Sequence, residues 1–481
     1  MRDKSDGFSL GGGIDAPAKK VFSSRRVVLV LTSFWAVQVL ISAAAQIYIA
    51  ALYGTGVALD SYLVGIAIPN TAFLVLGSGL GVAVIGFFNE TRIRSGESAA
   101  LGKVTVLCGW TVLVSAVLSG ALVVAAADVV DLIGPGLSEQ ARFAAGRVLR
   151  LTAYTVPFLA VSTIVQGLLQ ANQKYYICSV GAILQVGLLP IFLLLGGRRT
   201  PETLGWGFTA GAIIGCGVMI ASALRAGLLL PGRLSRPDWG SLVRIGLPLM
   251  CAGLLTHFVW VFERYLASQN GPGAISALGY AQRLVNLLAG GLTFGLSTVL
   301  VPLLSRRLSD GQYESAARVN RKALSWVLPL SIGVIGLVLV LATPVVRIIL
   351  QRGHFTGAST EMTSLAFRMY SGVLLNYLVG AVVIRGAMAA KKGRLMVLAS
   401  VVLVAVYLTL TPRLQKSLGF GGVPLGASVA FSTSLLVYVV GLARGRSYLF
   451  RPEGWTGDGA KSEMVVGQVP KNVTSDPGQT E

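Results

Sequence analysis

The residues of this chain that could do chemistry are few: Asp60, Pro69, Asn70, Glu263, Arg264, Arg283, Asn286 and Arg385. All lie in or beside stretches that are otherwise apolar, where an ionisable group is expensive and is therefore a functional candidate. A guanidinium at Arg283 presents a planar fork that can take two oxygens of a phosphate at once. The structural alternative is pairing with Glu263 or with a backbone carbonyl. Arg264 shares a helix face with Trp260 and His257, so it either faces a cavity or stacks on Trp260. Glu263 stands next to Arg264, and adjacent helical residues point about 100° apart, so the two need not pair. Arg385, with Lys391, Lys392 and Arg394 close behind, could attract an anionic lipid headgroup or simply snorkel to lipid phosphates. The stretch Leu59-Asp-Ser-Tyr-Leu-Val-Gly-Ile-Ala-Ile-Pro-Asn70 combines an acid, a proline and an amide. Asp60 either complements a helix N-terminus or serves as partner of a cavity arginine, gate or coupling-ion ligand. Pro69 removes a backbone hydrogen bond and bends its helix, and Asn70 offers polar groups at the bend. Asn70 and Asn286 occupy matching places in the two halves, as set out below. The chemistry is that of binding an anion and gating its passage.

The elements that position these residues follow from composition. Hydrophobic residues make up 54% of the 481, and charged residues only 12%, with a mean hydropathy of +0.72; soluble domains carry about 25% charged residues. Apolar runs of about 18 residues or more recur, each long enough to cross the roughly 30 Å hydrocarbon core as a helix. The chain reads as an all-α polytopic membrane protein. A net charge of +20 could suggest nucleic acid, but the basic residues sit in short loops between apolar runs, where they orient helices, so no nucleic-acid partner is expected. Cys108, Cys178, Cys216 and Cys251 fall in apolar segments at unrelated spacings and read as buried hydrophobes. His257 and His354 are too isolated for a metal site, and no cofactor is expected. No phosphate-binding Gly-x-x-x-x-Gly-Lys-Ser/Thr loop occurs, which argues against ATP hydrolysis. The Gly77-Ser-Gly-Leu-Gly81 run lies inside an apolar segment and reads as a helix-packing surface.

Twelve spans are expected, near 27–52, 61–88, 104–127, 148–170, 176–196, 204–228, 244–267, 274–303, 323–342, 362–388, 395–411 and 423–443, the eleventh cut short by Pro412. Lys and Arg concentrate in the N-terminal tail, the even-numbered loops and the C-terminal tail, which places both termini in the cytoplasm. On that count Arg283 lies about nine residues into the eighth helix, roughly 13 Å from its outer end. The expected organisation is a basic cytoplasmic tail at 1–26, a six-helix lobe at 27–228, a cytoplasmic linker at 229–243, a second six-helix lobe at 244–443 and a disordered cytoplasmic tail at 444–481. Residues 1–26 do not read as a cleavable signal peptide.

The chain also repeats itself. The segment at 54–96 aligns with 271–311, placing Asn70 on Asn286, Gly79 on Gly295 and Leu80 on Leu296, each 216 residues apart. Six spans between copies keep both in one orientation, so the lobes should be related by a pseudo-two-fold axis along the membrane normal. In such transporters the substrate site lies between the lobes near the midplane, and alternating access follows from one lobe rocking on the other. Asp60 has no acidic counterpart in the second copy, where Ser276 or Ala277 stands.

The stretches YGTGVALDSYLVGIAIPN, GLLQANQKYYICS, ALGYAQRLVNLLAGGLTFGLSTVLVPLLS, QRGHF and IRGAMAAKKGR together resemble the MurJ/MviN lipid II flippase family of the MOP exporter superfamily. That resemblance implies a V-shaped two-lobed bundle around a cationic cavity, moving a polyprenyl-pyrophosphate-linked sugar from the inner to the outer leaflet of the bacterial inner membrane. Arg283 matches the basic residue of the family's YAxRL motif, and Arg385 matches a family arginine. The implied partners are the lipid-linked glycan, membrane lipids and H⁺ or another coupling ion, with transport rather than catalysis as the activity. Two departures stand out. Family arginines in the first two helices are replaced by Val39, Ala45 and Ala67, and twelve helices are counted where members carry fourteen. The alternatives are therefore a flippase for another lipid-linked oligosaccharide in exopolysaccharide synthesis, a cation-coupled drug exporter of the same superfamily, and a non-transporting membrane scaffold.

Overall fold

Long apolar runs without a two-residue alternation wind into helices, and every regular element among the described residues is helical. The computed structural model describes residues 25–195, 200–229, 237, 239–309, 312–390 and 392–444. Most of both expected tails, most of the linker and Lys391 lie outside these. In chain order the helices are α1 (Arg25–Tyr53), α2 (Val57–Gly65), α3 (Ala67–Leu76), α4 (Val82–Ser95), α5 (Glu97–Val124), α6 (Ala126–Ile133), α7 (Glu139–Ala153), α8 (Thr155–Ala171) and α9 (Tyr175–Leu195). They continue with α10 (Pro201–Arg225), α11 (Trp239–Ser268), α12 (Ala274–Ser309), α13 (Tyr313–Leu350), α14 (Gly357–Met369), α15 (Ser371–Ala389), α16 (Gly393–Leu418) and α17 (Gly422–Arg444). Nine helical stretches among the described residues are long and apolar enough to cross a membrane, and a tenth is added if α7 and α8, which meet at 43°, form one bent span.

Two expectations need correction. The expected ninth span at 323–342 is the middle of a 38-residue helix, α13, which runs on through both Pro329 and Pro344. Pro412 does not end its helix, which continues to Leu418.

Proline acts differently at two other places. Pro69 sits at the third position of α3, just after the break at Ile66, and Pro157 sits at the third position of α8, just after the break at Tyr154. A proline cannot bond the carbonyl four residues earlier, so it releases Gly65 O in one case and Ala153 O in the other. Gly65 O shares the single proton of Thr152 Oγ1, at 3.3 Å, with Val148 O at 2.9 Å, and Ala153 O accepts from Ser119 Oγ at 2.9 Å. Neighbouring hydroxyls thus replace the missing backbone donor, as a break at membrane depth requires. The break at Tyr370 between α14 and α15 is treated alike: Ser428 Oγ donates to Met369 O, and the Gly372 amide donates to Ser428 Oγ.

The two halves of the chain are in direct contact. Gly77–Gly81 forms a single π-helical turn between α3 and α4. A Cβ on Gly79 would lie 2.0 Å from Met250 Cγ and 3.0 Å from Gly246 O, so only glycine lets this turn rest on α11. The helix-packing reading of this run therefore describes what the run does. The largest buried cluster likewise joins both halves, packing Tyr62 and Leu149 with Tyr280 and Phe367.

The hydroxyl bridges lead to a double-mutant test. Ser119→Ala should destabilise the protein by about 1 kcal/mol by stranding the Ala153 carbonyl. Adding Pro157→Ala, which restores a backbone donor to that carbonyl, should recover most of the loss in a thermal unfolding assay of the purified protein.

Candidate functional site

Between the halves lies a cavity of about 560 Å³. Its first-half wall is built by α1, α2, α3, α8, α9 and α10, and carries Gln46, Asn70, Thr71 and Gln185 among apolar and aromatic side chains. Its second-half wall is built by α11 and α12, and carries His257, Trp260, Arg264, Gln282, Arg283 and Asn286. The break at Ile66 turns Asn70 into this space, while Pro69 itself does not line it. Asn70 and Asn286, paired by the internal repeat, face the same cavity.

Arg283 donates through Nη1 to Gln46 Oε1, and its guanidinium carbon lies 5.9 Å from the centre of the Tyr280 ring. Its partners are an amide and a ring face, both neutral, so the expected alternative of pairing with Glu263 is not what the structure contains. A neutral partner holds the guanidinium in place without cancelling its charge. Glu263 is turned away and only 2% exposed. Its carboxylate accepts from Tyr370 OH at 2.6 Å and from Gln282 Nε2 at 2.7 Å. Trp260 stacks on Phe431, with ring centroids 5.2 Å apart, and meets Tyr370 edge-on. Arg264 lines the cavity with Arg283.

Arg385 is placed elsewhere. It lines a second cavity of about 640 Å³ within the second half, beside Asn376, Ser400 and Ser434. His257, Asn286 and Tyr377 line both cavities. A third, mostly apolar cleft of about 300 Å³ runs between α1, α12 and the end of α13, where Val39, Leu287 and Ile349 face it. Gln46 and Arg283 line this cleft as well as the central cavity, so the guanidinium stands where the two meet.

Asp60 is 1% exposed and does not partner an arginine. Its Oδ2 accepts from the Gly273 amide at 2.6 Å, and its Oδ1 from the amide and hydroxyl of Ser276, both at 2.7 Å. A first-half carboxylate therefore caps the N-terminus of α12 in the second half, where unpaired amides and the positive end of the helix dipole favour an anion. Asp60 also stands in the first turn of its own helix, α2, as the helix-terminus reading expects. Asp60 and Ser276 are 216 residues apart, and Ser276 is one of the two residues that the repeat sets opposite Asp60.

Gln46, Gln185, Gln282 and Tyr370 were not singled out from sequence. Gln46 and Gln185 are lone amides in apolar runs (SAAAQIYIAA and GAILQVGLLP), the signal by which they could have been found. No cluster of three His, Cys, Asp or Glu suited to a metal ion occurs among the described residues. The arrangement can hold an anionic group against the second-half wall with polar uncharged groups facing it.

A family model described as lipid II flippase MurJ matches residues 49–467. A probable lipid II flippase MurJ of Rhizobium meliloti (strain 1021) is 24% identical over 442 residues, covering 89% of this chain and 80% of that protein. Among solved structures, a lipid II flippase MurJ in an inward closed conformation superposes with a TM-score of 0.75 at 20% identity, covering 88% of this chain and 89% of that one. An inward-facing multidrug resistance MATE family transporter of the MOP superfamily gives 0.67 at 17% identity, over 86% and 94% of the two chains. With the family model spanning most of its length, the chain belongs to the MurJ family of lipid II flippases, multi-pass inner-membrane transporters rather than enzymes.

Proposed function

We propose that this chain carries lipid II, a polyprenyl-pyrophosphate-linked glycan, from the inner to the outer leaflet by alternating access. The observation that carries the reading is the pair Arg264 and Arg283 on one wall of the central cavity, with Arg283 held by neutral partners. In a low-dielectric site an uncompensated guanidinium is a strong and geometrically specific ligand for a pyrophosphate. The apolar cleft reaching Arg283 from the side lets the polyprenyl tail remain among lipids while the phosphates enter. Arg385, in the second cavity, is the capture point on the cytoplasmic side.

The geometry also supports two six-helix lobes. Taking α2–α4, α7–α8 and α14–α15 as bent spans, and setting aside the eight-residue α6, leaves twelve crossings. An even count puts both termini on one side, and the distribution of Lys and Arg makes that side the cytoplasm. Asp60 on α12 is then the outer latch, and the seat of Gly79 on α11 is the inner contact. The bend with Pro69 and Asn70 lies between them, with Asn286 opposite. Glu263, buried beside the cavity under Tyr370 and Gln282, is the group assigned to coupling with H⁺ or another ion.

A drug exporter needs acids open to an organic cation. Asp60 and Glu263 are both buried under hydrogen bonds, Asp60 by Gly273 and Ser276 and Glu263 by Tyr370 and Gln282. The cavity's polarity opposes that alternative.

In cells depleted of their own lipid II flippase, the wild-type chain should restore growth. Arg283→Ala at equal membrane level should not, and Arg283→Lys should restore it only in part, because an ammonium lacks the fork. Full rescue by Arg283→Ala would overturn the reading. The latch is tested by labelling a cavity cysteine, Thr71→Cys, in a background freed of the four natural cysteines. Asp60→Ala should raise its reaction with a membrane-impermeant maleimide applied from outside by about tenfold or more, the scale set by losing hydrogen bonds to a buried charge. An unchanged rate means Asp60 does not hold the outer side shut.

A further inference from the structure

The wall facing the arginines has its own chemistry. Among the described residues, the first-half side of the central cavity carries amides and hydroxyls (Gln46, Asn70, Thr71, Gln185) and the aromatic rings Tyr62, Phe73 and Phe208, but no carboxylate, lysine or arginine. Gln185 stands out. It lies midway along α9, in a run of apolar residues. Its Nε2 is enclosed and has no hydrogen-bond partner within the protein. Two glycines of α10 clear the space it occupies: a Cβ on Gly215 would stand 2.5 Å from Gln185 Cγ, and one on Gly211 would stand 2.4 Å from Gln185 O. A buried amide donor without an acceptor is destabilising, and an apolar side chain of the same size would fill the position at lower free energy. The packing therefore accommodates a donor that the fold itself does not use.

We propose that Gln185, with Asn70 on the same side of the cavity, is the headgroup-reading site. Its amide, shielded in this conformation, turns to the cavity and binds the uncharged saccharide next to the pyrophosphate, donating from Nε2 to a sugar hydroxyl or to the carbonyl of an acetamido group. Amides suit this task because each offers two donors and an acceptor without charge. The ring face of Phe208 gives the apolar face of a sugar a surface to lie on. The two walls divide the recognition: arginines hold the phosphates, amides select the glycan. A headgroup with an acidic sugar at this wall meets no cation there and is disfavoured. This inference rests on the flippase reading above, and the experiment separates the two.

The protein, reconstituted in nanodiscs, is titrated with three probes: lipid II, undecaprenyl pyrophosphate bearing a single N-acetylglucosamine, and bare undecaprenyl pyrophosphate. Gln185→Leu should weaken binding of both sugar-bearing lipids by about five- to tenfold, the scale of one lost hydrogen bond, and leave binding of the bare pyrophosphate unchanged. Its Tm should be equal to wild type or higher, whereas a purely structural amide would lower it. Arg283→Ala should weaken all three. Equal loss across the three probes in Gln185→Leu, or no loss on any, overturns the headgroup site and leaves the flippase reading standing. A wild-type protein that binds none of the three overturns the flippase reading itself.

Discussion

A peptide carbonyl set free inside a bilayer has no water to turn to, and much of this architecture follows from that constraint. Helices can break at membrane depth only where another group takes over the lost bond. Here the substitutes are hydroxyls of neighbouring helices: Thr152 for Gly65, Ser119 for Ala153 and Ser428 for Met369. Each break is thereby tied to one particular helix contact. The bend after Gly65 turns Asn70 toward the central cavity, while Asp60, one and a half turns before it, reaches a different helix. Without the hydroxyl bridges the bends would lose their fixed positions, and with them the shape of the cavity.

The cavity is electrically lopsided, and the pairing of its side chains keeps it so. Had Arg283 met Glu263, the two charges would have neutralised each other and left a merely polar space. Instead the carboxylate is occupied by Tyr370 and Gln282, and the guanidinium by Gln46 and Tyr280. Like-signed Arg264 shares the same wall. At the reduced dielectric of a protein interior, this separation leaves a field that a doubly charged phosphate ester would feel strongly and a cation would avoid.

Much of this could be read from the chain before any coordinates. Apolar runs gave the helices, and Arg264 and Arg283 stood out because charges are rare in such runs. The distribution of contacts could not be read. Asp60 binds backbone amides, and amides carry no residue-type signal, so its partner across 216 positions was invisible even though the repeat had aligned the two residues. Pro69 stands beside an interruption of its helix, and the break itself falls three residues earlier at Ile66. A proline is tolerated in the first turn of a new helix, so the old helix stops before it rather than at it. Gln46 and Gln185 carry no charge to mark them, yet in lipid an amide is also a rare and costly choice. Arg385 belonged with the others by type, and only its depth along α15 assigns it to the neighbouring cavity.

The meeting of Asp60 with Gly273 and Ser276 ties the two halves at one buried seam. Pulled apart, one half would keep a carboxylate and the other a pair of amides with nothing to satisfy them, so each half is energetically incomplete without its mate.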